Sequence, residues 1–205
     1  MVESQEVLTH FPGLELTAPE NEAPRLLGSI ELKDTDGNIY DQYQVRIVAS
    51  DDSTIQFPEV YEVGGRLPHN IDWHVFEDGH CCIKSVPEQI VVCKKGLPLV
   101  RFIKEQILPY LHGQAFREQN GYYLHERSHG EWGNIEYIAG VLKTQNRGAI
   151  IQQLLFILQG KEPNRSNRCF CGSRELYRHC HRNAYRDLSL LPKEFLRKYI
   201  IYLSA

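Results

Sequence analysis

The 205-residue chain has no apolar run that approaches the length of a membrane span, for which about 20 consecutive apolar residues are needed. Its first residues, Met1 to Glu6, have neither the basic region nor the apolar stretch of a secretory signal. Internal repeats and low-complexity tracts are also missing. We therefore expect a cytoplasmic, globular protein without a membrane partner.

A large charge of one sign is missing as well. The net charge is -3, with 42% hydrophobic and 24% charged residues, which is an ordinary globular composition. The charge is unevenly distributed, because residues 161–186 hold six Arg and one Lys against two Glu, or +5, and leave -8 for the remainder. This segment alone favours a nucleic-acid-associated zinc protein. It lacks the stacked aromatics and basic stripes of such domains, so a nucleic-acid partner is not expected.

The first third of the chain predicts an antiparallel β-meander. Apolar and polar residues alternate over 29–33 and again over 43–47, and the polar segment 34–38 between them is typical of a turn. A third strand is predicted within 55–63, where Pro58 suits an edge or the start of a strand. A sheet of three or four strands follows from this pattern.

Residues 64–98 contain seven Gly and Pro positions in a stretch that we interpret as a long, structured loop. A short apolar run at Ile90–Val92 predicts a strand, on which Cys93 would be buried.

Helices are predicted for the rest of the chain, which makes the fold class α+β. Pro98 opens a helix that Pro109 should kink or end. Asn134 is suited to cap a helix that runs to about Thr144, and residues 148–159 are apolar nearly all round and belong in the core. Pro192 is a suitable start for the last helix.

Six cysteines in a reducing compartment indicate metal ligands, reactive thiols or buried small residues more than disulfides. Four potential ligands are closely spaced near the C-terminus: Cys169, Cys171, Cys180 and His181. Three thiolates and one imidazole suit a single tetrahedral Zn²⁺, and four protein ligands leave no open position, so the site would be structural. The alternative is that these are ordinary cysteines in a helix hairpin.

The same segment resembles the SEC-C motif of bacterial proteins. The matching positions are Cys169, Cys171, Gly172, Ser173, Tyr177, Cys180 and His181. The resemblance implies a small zinc module that mediates contacts with partners, and we expect it to occupy residues 161–205 together with the terminal helix.

A second group of residues surrounds paired cysteines in the sequence His74-Val-Phe-Glu-Asp-Gly-His-Cys-Cys-Ile83. This stretch and the meander before it resemble the bacterial relatives of ubiquitin-conjugating enzymes. The family's catalytic Cys lies three residues after a Gly and just before an aliphatic residue, which selects Cys82 between Gly79 and Ile83. The resemblance implies a domain of this type over residues 1–160, with a helical extension.

The implied activity is that of a transferase that carries a ubiquitin-like protein as a thioester on Cys82 and passes it to a substrate lysine. Its partners would be that modifier and an activating enzyme, in a bacterial conjugation pathway of the kind associated with anti-phage defence. His74 stands where the eukaryotic enzymes carry Asn, eight residues before the Cys. It would activate the thiol or hydrogen-bond the oxyanion. The segment Pro68–Asn70 resembles the family's tripeptide but is out of register.

Other interpretations remain open. Cys81 and Cys82 are alternatively a buried pair under a loop, and the protein is alternatively a non-catalytic scaffold that binds partners through its zinc module. A Cys-His hydrolase would need His74 or His129 as its base. His125, Glu126 and His129 are a candidate metal-binding trio in a loop that also has the composition to be only an anchored connection.

Overall fold

The computed structural model describes residues 2–18, 23–126 and 128–205. The α+β class is confirmed, and a single antiparallel sheet has its strands in the order β1-β2-β3-β4. Its strands are β1 (Leu14–Thr17), β2 (Arg25–Lys33), β3 (Ile39–Val48) and β4 (Glu59–Glu62). The helices are α1 (Val2–His10), α2 (Val86–Lys94), α3 (Leu99–Phe102), α4 (Leu108–Asn120), α5 (Gly130–Val141), α6 (Arg147–Leu158), α7 (Arg182–Leu188) and α8 (Lys193–Ser204).

The predicted hairpin between β2 and β3 is confirmed. Tyr43 pairs with Ile30 across it, and both side chains are buried on the inner face. The Asp34 carboxylate accepts the backbone N–H groups of Asp36 and Asn38 and thereby closes the turn. β4 begins directly after Pro58, which lacks the N–H that a strand interior requires.

The helical segment after Pro98 covers the inner face of the sheet. Phe102 packs against Phe57 with ring centroids 5.1 Å apart, and Ile103, Ile107 and Leu111 are fully buried. The prediction that Pro109 kinks or ends the helix is wrong about the end, because the helix continues to Asn120. The chain passes through a π-helical turn, Ile103–Ile107, just before the proline. The Leu108 N–H therefore bonds to the Ile103 carbonyl, five residues back.

Two predictions about helices fail. Ile90–Val92 lie in α2 and not in a strand, so Cys93 is buried on a helix. Asn134 does not cap α5, which begins four residues earlier; its buried side chain accepts the Val86 N–H at 3.2 Å. The predicted α6 and α8 are confirmed, and α6 is capped by the Asn146 side chain.

The contacts divide the chain into two compact units. Unit 1 comprises residues 1–84 and 95–126, and unit 2 comprises residues 85–94 and 127–205. This division differs from the boundary predicted at residue 160, because α5 and α6 belong with the cysteine-rich segment. None of the helices within the described ranges combines the length and apolar character that a bilayer crossing requires.

Candidate functional site

Four potential metal ligands meet in unit 2. The thiol sulfurs of Cys169, Cys171 and Cys180 and a ring nitrogen of His181 all lie within 4.8 Å of one another. The His181 Nδ1 atom is 3.5 Å from the Cys169 sulfur, and the sulfurs of Cys171 and Cys180 are 3.6 Å apart. Within the described parts of the chain this is the one such group of three or more ligand side chains. The cluster can bind one metal ion.

Short backbone elements bring these ligands together. Arg168 and Leu176 form an antiparallel bridge, and the Cys169 N–H donates to the Glu175 carbonyl at 2.8 Å. Between them, Gly172 turns the chain in the left-handed region at φ +82°, where a side chain would be strained. A 3-10 helix over Tyr177–His179 then leads to the last two ligands at the start of α7.

The His181 imidazole is oriented by a second contact. Its Nε2 atom lies 2.8 Å from the Leu142 carbonyl oxygen. Because a carbonyl only accepts, Nε2 must carry the proton, and Nδ1 presents its lone pair to the thiols. This is the outer-shell arrangement that fixes the tautomer of metal-binding histidines. This contact has no local signal in the sequence, since Leu142 is 39 residues away from His181.

The cysteine-rich segment is also packed on an aromatic cluster. The Phe170 ring stacks on Phe156 of α6 with centroids 4.6 Å apart and planes within 7°. Tyr177 is fully buried and donates its hydroxyl to Glu162, which also pairs with Arg186 at 2.8 Å. These contacts fix the backbone of the segment that carries the four potential ligands.

The thiols of the cluster differ in acidity. Burial raises the pKa of Cys169 to about 11. Burial also acts to raise the pKa of Cys171, but hydrogen bonds from Ser173 and from the neighbouring thiols outweigh it and lower the pKa to about 7. Thiolates are the metal-binding form, so an ion that binds here displaces protons from the cluster.

In unit 1, residues 74–82 form a narrow ladder beside β4. Val75 pairs with Cys81, flanked by hydrogen bonds from Phe76 N–H to the His80 carbonyl and from Cys82 N–H to the His74 carbonyl. His74 and Cys82, the two residues predicted from sequence, are therefore directly opposite each other. The Cys81 N–H also bonds to the Val60 carbonyl at 2.7 Å, which attaches the ladder to the sheet.

The two cysteines have different environments. Successive side chains of an extended segment point to opposite faces. Cys81 points inward and is 7% exposed, whereas Cys82 is only partly buried. Burial raises the pKa of both thiols, that of Cys81 to about 11. Cys82 is thus the more accessible thiol, and in this state it is held as the neutral thiol at neutral pH.

A network from α4 holds the backbone around His74. The Tyr110 hydroxyl donates to the His74 carbonyl at 2.9 Å, and the Gln114 amide donates to the Trp73 carbonyl at 2.9 Å. His74 has a left-handed backbone at φ 49°, and its ring lies 5.0 Å from the ring of Tyr123. The contact with Cys82 thus runs through the His74 backbone, while its ring packs against Tyr123, which follows α4 in the chain.

The tripeptide Pro68–Asn70 has a structural role. The Asn70 side chain caps a 3-10 helix over Ile71–Trp73 by accepting the Asp72 N–H. The His69 ring covers Gly79, so closely that a Cβ there would lie 2.7 Å from it. Gly79 also has φ +90°, and both features require glycine at the turn of the ladder.

Three acidic groups missed in the sequence fix the loop at its start. The buried Glu62 carboxylate accepts the N–H groups of Gly64, Arg66 and Leu67. The Arg66 guanidinium pairs with Asp41 at 2.8 Å and with Glu118 at 2.7 Å. Nothing local in the sequence distinguishes these residues from ordinary surface charges.

The candidate trio His125, Glu126 and His129 is not among the groups that can hold a metal within the described residues. His125 and Glu126 belong to unit 1 and His129 to unit 2, where it precedes α5.

Comparison of the chain with known protein families, curated proteins and solved structures finds no match.

Proposed function

We propose that the protein is a transferase of the ubiquitin-conjugating kind, which carries a ubiquitin-like protein as a thioester on Cys82. Its pathway would be a bacterial conjugation pathway of the kind associated with anti-phage defence. The observation that carries the proposal is the ladder in which Cys82, partly exposed, lies directly opposite His74. The order of elements supports it too, because a four-stranded meander and a cysteine-bearing loop precede the helices α2 to α8, which is the order that the resemblance implies.

The reaction needs a thiol that is both nucleophile and leaving group. Cys82 would attack the thioester carbonyl carbon on the activating enzyme and displace that enzyme's cysteine, then yield the acyl group to a substrate lysine. Glu62 holds the start of the loop by accepting the Gly64 N–H, and Tyr110 holds it further along by donating to the His74 carbonyl. Such fixed backbone geometry is what positions reacting groups at low entropic cost. His74 contributes its carbonyl to the ladder and, in this proposal, its ring to the oxyanion or to the thiol.

The test is a thioester assay. The protein is incubated with ATP and with the activating enzyme and ubiquitin-like protein encoded beside it. We expect an adduct that reductant removes, that Cys82→Ala abolishes and that the matched control Cys81→Ala retains. Absence of the adduct with partners whose activity is verified would contradict the proposal.

A second candidate is the non-catalytic scaffold, which binds a ubiquitin-like partner without forming a thioester. The raised pKa of Cys82 favours it, because burial reduces the thiolate fraction at neutral pH. In that case the partner would bind equally well to the wild type and to Cys82→Ala, and neither would form the adduct.

We further propose that the metal of the Cys169 cluster is a structural Zn²⁺ in a module of the SEC-C kind. Three sulfur donors and one nitrogen donor match its tetrahedral preference, and among the described residues the group contains no fifth His, Cys, Asp or Glu side chain. Metal analysis should give one zinc per chain. Cys169→Ser combined with Cys171→Ser should abolish it, and Cys93→Ser should retain it. Full retention in the double variant would refute the ligand set.

A further inference from the structure

A carboxylate–imidazole pair lies at the turn of the ladder, close to Cys82 in sequence and space. The Asp78 carboxylate oxygen is 2.7 Å from His80 Nδ1, and it also accepts the His80 backbone N–H. Both hydrogen bonds lower the pKa of Asp78, and the bond from the His80 backbone has the larger effect. Asp78 is therefore ionised at neutral pH and acts only as an acceptor.

This contact decides the tautomer of His80. Because Asp78 accepts, Nδ1 carries a proton, and in the neutral ring Nε2 holds the lone pair. The ring is further fixed by Phe76, which stacks on it at 4.1 Å, and by Tyr61, whose ring lies edge-on at 6.4 Å. The imidazole is thus oriented on three sides and is still about one-third exposed, at 32%. An oriented, accessible imidazole with a basic Nε2 is the usual form of a general base.

His80 and Cys82 lie on the same face of the ladder. His80 pairs with Tyr61 of β4 and Cys81 pairs with Val75, so residues 80–82 are extended between two neighbouring segments. In extended chain, residues two apart share a face and their Cα atoms are about 6.6 Å apart. The buried Cys81 between them points to the other face. This spacing lets an imidazole reach the thiol or a lysine amine at the sulfur.

We propose that His80, oriented by Asp78, is the proton acceptor and donor for Cys82 in both acyl-transfer steps. The proposal rests on the proposed function for its substrate, a protein thioester followed by a lysine amine. It assigns the acid–base role at the thiol to His80. His74 then keeps the oxyanion as the partner of its ring and holds the backbone of the ladder through its carbonyl.

Each proton that is released in the two steps has a named acceptor. On loading, the Cys82 S–H proton moves to His80 Nε2 while sulfur bonds to the thioester carbon. The C–S bond to the donor cysteine then breaks, and that thiolate takes the proton back. On discharge, a neutral lysine amine bonds to the carbon and gives its proton to Nε2. The C–S bond to Cys82 breaks, and the imidazolium protonates the Cys82 sulfur. Because burial raises the pKa of the Cys82 thiol, it needs a base that takes its proton on loading and an acid that returns a proton on discharge.

The Tyr61 ring, which lies against His80, is itself held by charged residues of the sheet. Tyr61 donates its hydroxyl to Glu59 on β4, and Arg46 of β3 lies over the Tyr61 ring at 4.3 Å. The pKa of Tyr61 is raised to about 12, mainly by burial, so it stays neutral through the working range.

The first test needs no partner protein. In a Cys81→Ala background, the rate at which iodoacetamide alkylates Cys82 is measured from pH 5.5 to 9.5 by peptide mass spectrometry. We expect an inflection in this profile, which His80→Gln removes and Asp78→Asn weakens. The exposed neighbour Glu77 provides the matched control, and Glu77→Gln should retain the inflection. Identical profiles for the parent and His80→Gln would overturn the inference.

The second test measures discharge of the preformed thioester to free lysine. His80→Ala should discharge at least about 100-fold more slowly at pH 7, and added imidazole should restore part of the rate, which a purely structural role would not allow. Normal discharge by this variant overturns the inference and leaves the proposed function intact. A wild type that forms no thioester but shows the alkylation inflection overturns the proposed function and retains the His80–Cys82 pair.

Discussion

At the scale of single residues, Glu62 is the most unusual side chain of unit 1. The residue is 8% exposed, and its carboxylate accepts three backbone N–H groups where β4 enters the loop. A buried charge is tolerated only when it is well hydrogen-bonded. Glu62 therefore acts as the anchor that fixes the direction of the chain towards Cys82.

Replacing this anchor should loosen the loop. Glu62→Gln keeps the size of the side chain but removes its charge and one acceptor oxygen. We expect the free energy of unfolding to fall by about 1–3 kcal/mol and the amides of Gly64, Arg66 and Leu67 to exchange faster. Urea denaturation and hydrogen exchange measure both effects. Glu59→Gln is the control, because Glu59 is exposed, and it should change stability by less than about 0.5 kcal/mol. Equal effects of the two changes would refute the anchor role.

Cys81 makes stability depend on pH in the alkaline range. Burial raises its pKa from 9.0 to about 11, so the folded state keeps the proton after the unfolded chain has lost it. The folded state binds more protons between these values, and stability must fall as pH rises from about 9 to 11. The contribution is at most about 3 kcal/mol.

The measurement compares wild type with Cys81→Ala in urea between pH 7 and 10.5, with reductant present. The variant should be less stable at pH 7, since it leaves a small cavity, but its curve should fall less steeply above pH 9. Parallel curves would show that Cys81 does not cause the alkaline loss.

At the scale of elements, the parts of the fold that can be predicted are those whose sequence pattern lies within a short stretch of the chain. The β2–β3 hairpin follows from alternation and an Asp-containing turn, and the four ligands of the metal cluster lie close in sequence. α2 was mistaken for a loop and a strand because a three-residue apolar run hid the helical spacing of Pro87, Ile90 and Val91, all buried. Tertiary contacts such as Leu142 to His181 have no local signal at all.

The place of His181 in the metal cluster leads to a prediction about the cysteine-rich segment. His181→Asn removes the nitrogen ligand and should weaken zinc binding at least about 10-fold, as measured by competition with a chromogenic chelator. Two residues earlier in the chain, His179 is exposed and outside the cluster, so His179→Asn should bind zinc like the wild type. Equal affinity of the two variants would exclude His181 from the ligand set.

At the scale of the whole molecule, the chain order and the compact units do not coincide. α2 lies in the chain between parts of unit 1, yet its residues belong to unit 2. The boundary predicted at residue 160 rests on the resemblance of the cysteine-rich segment to the SEC-C motif. A motif covers neighbouring residues of the chain, whereas a unit is defined by which residues pack together, and α5, α6 and the cysteine-rich segment share contacts such as Phe156 with Phe170.

This organisation predicts which parts of the chain respond to loss of the metal. Metal binding stabilises the packed residues around its ligands, so chelation should speed amide exchange most in α7 and the 3-10 helix before it. α2 should respond together with this region, although it is about 80 residues away in sequence, because it packs within unit 2. β2 and β3 of unit 1 should keep their exchange rates. Hydrogen-exchange mass spectrometry with and without 1,10-phenanthroline measures this directly. If β2 and β3 lost protection as much as α7, the two units would unfold as one, and if α2 alone stayed protected, it would not belong to unit 2.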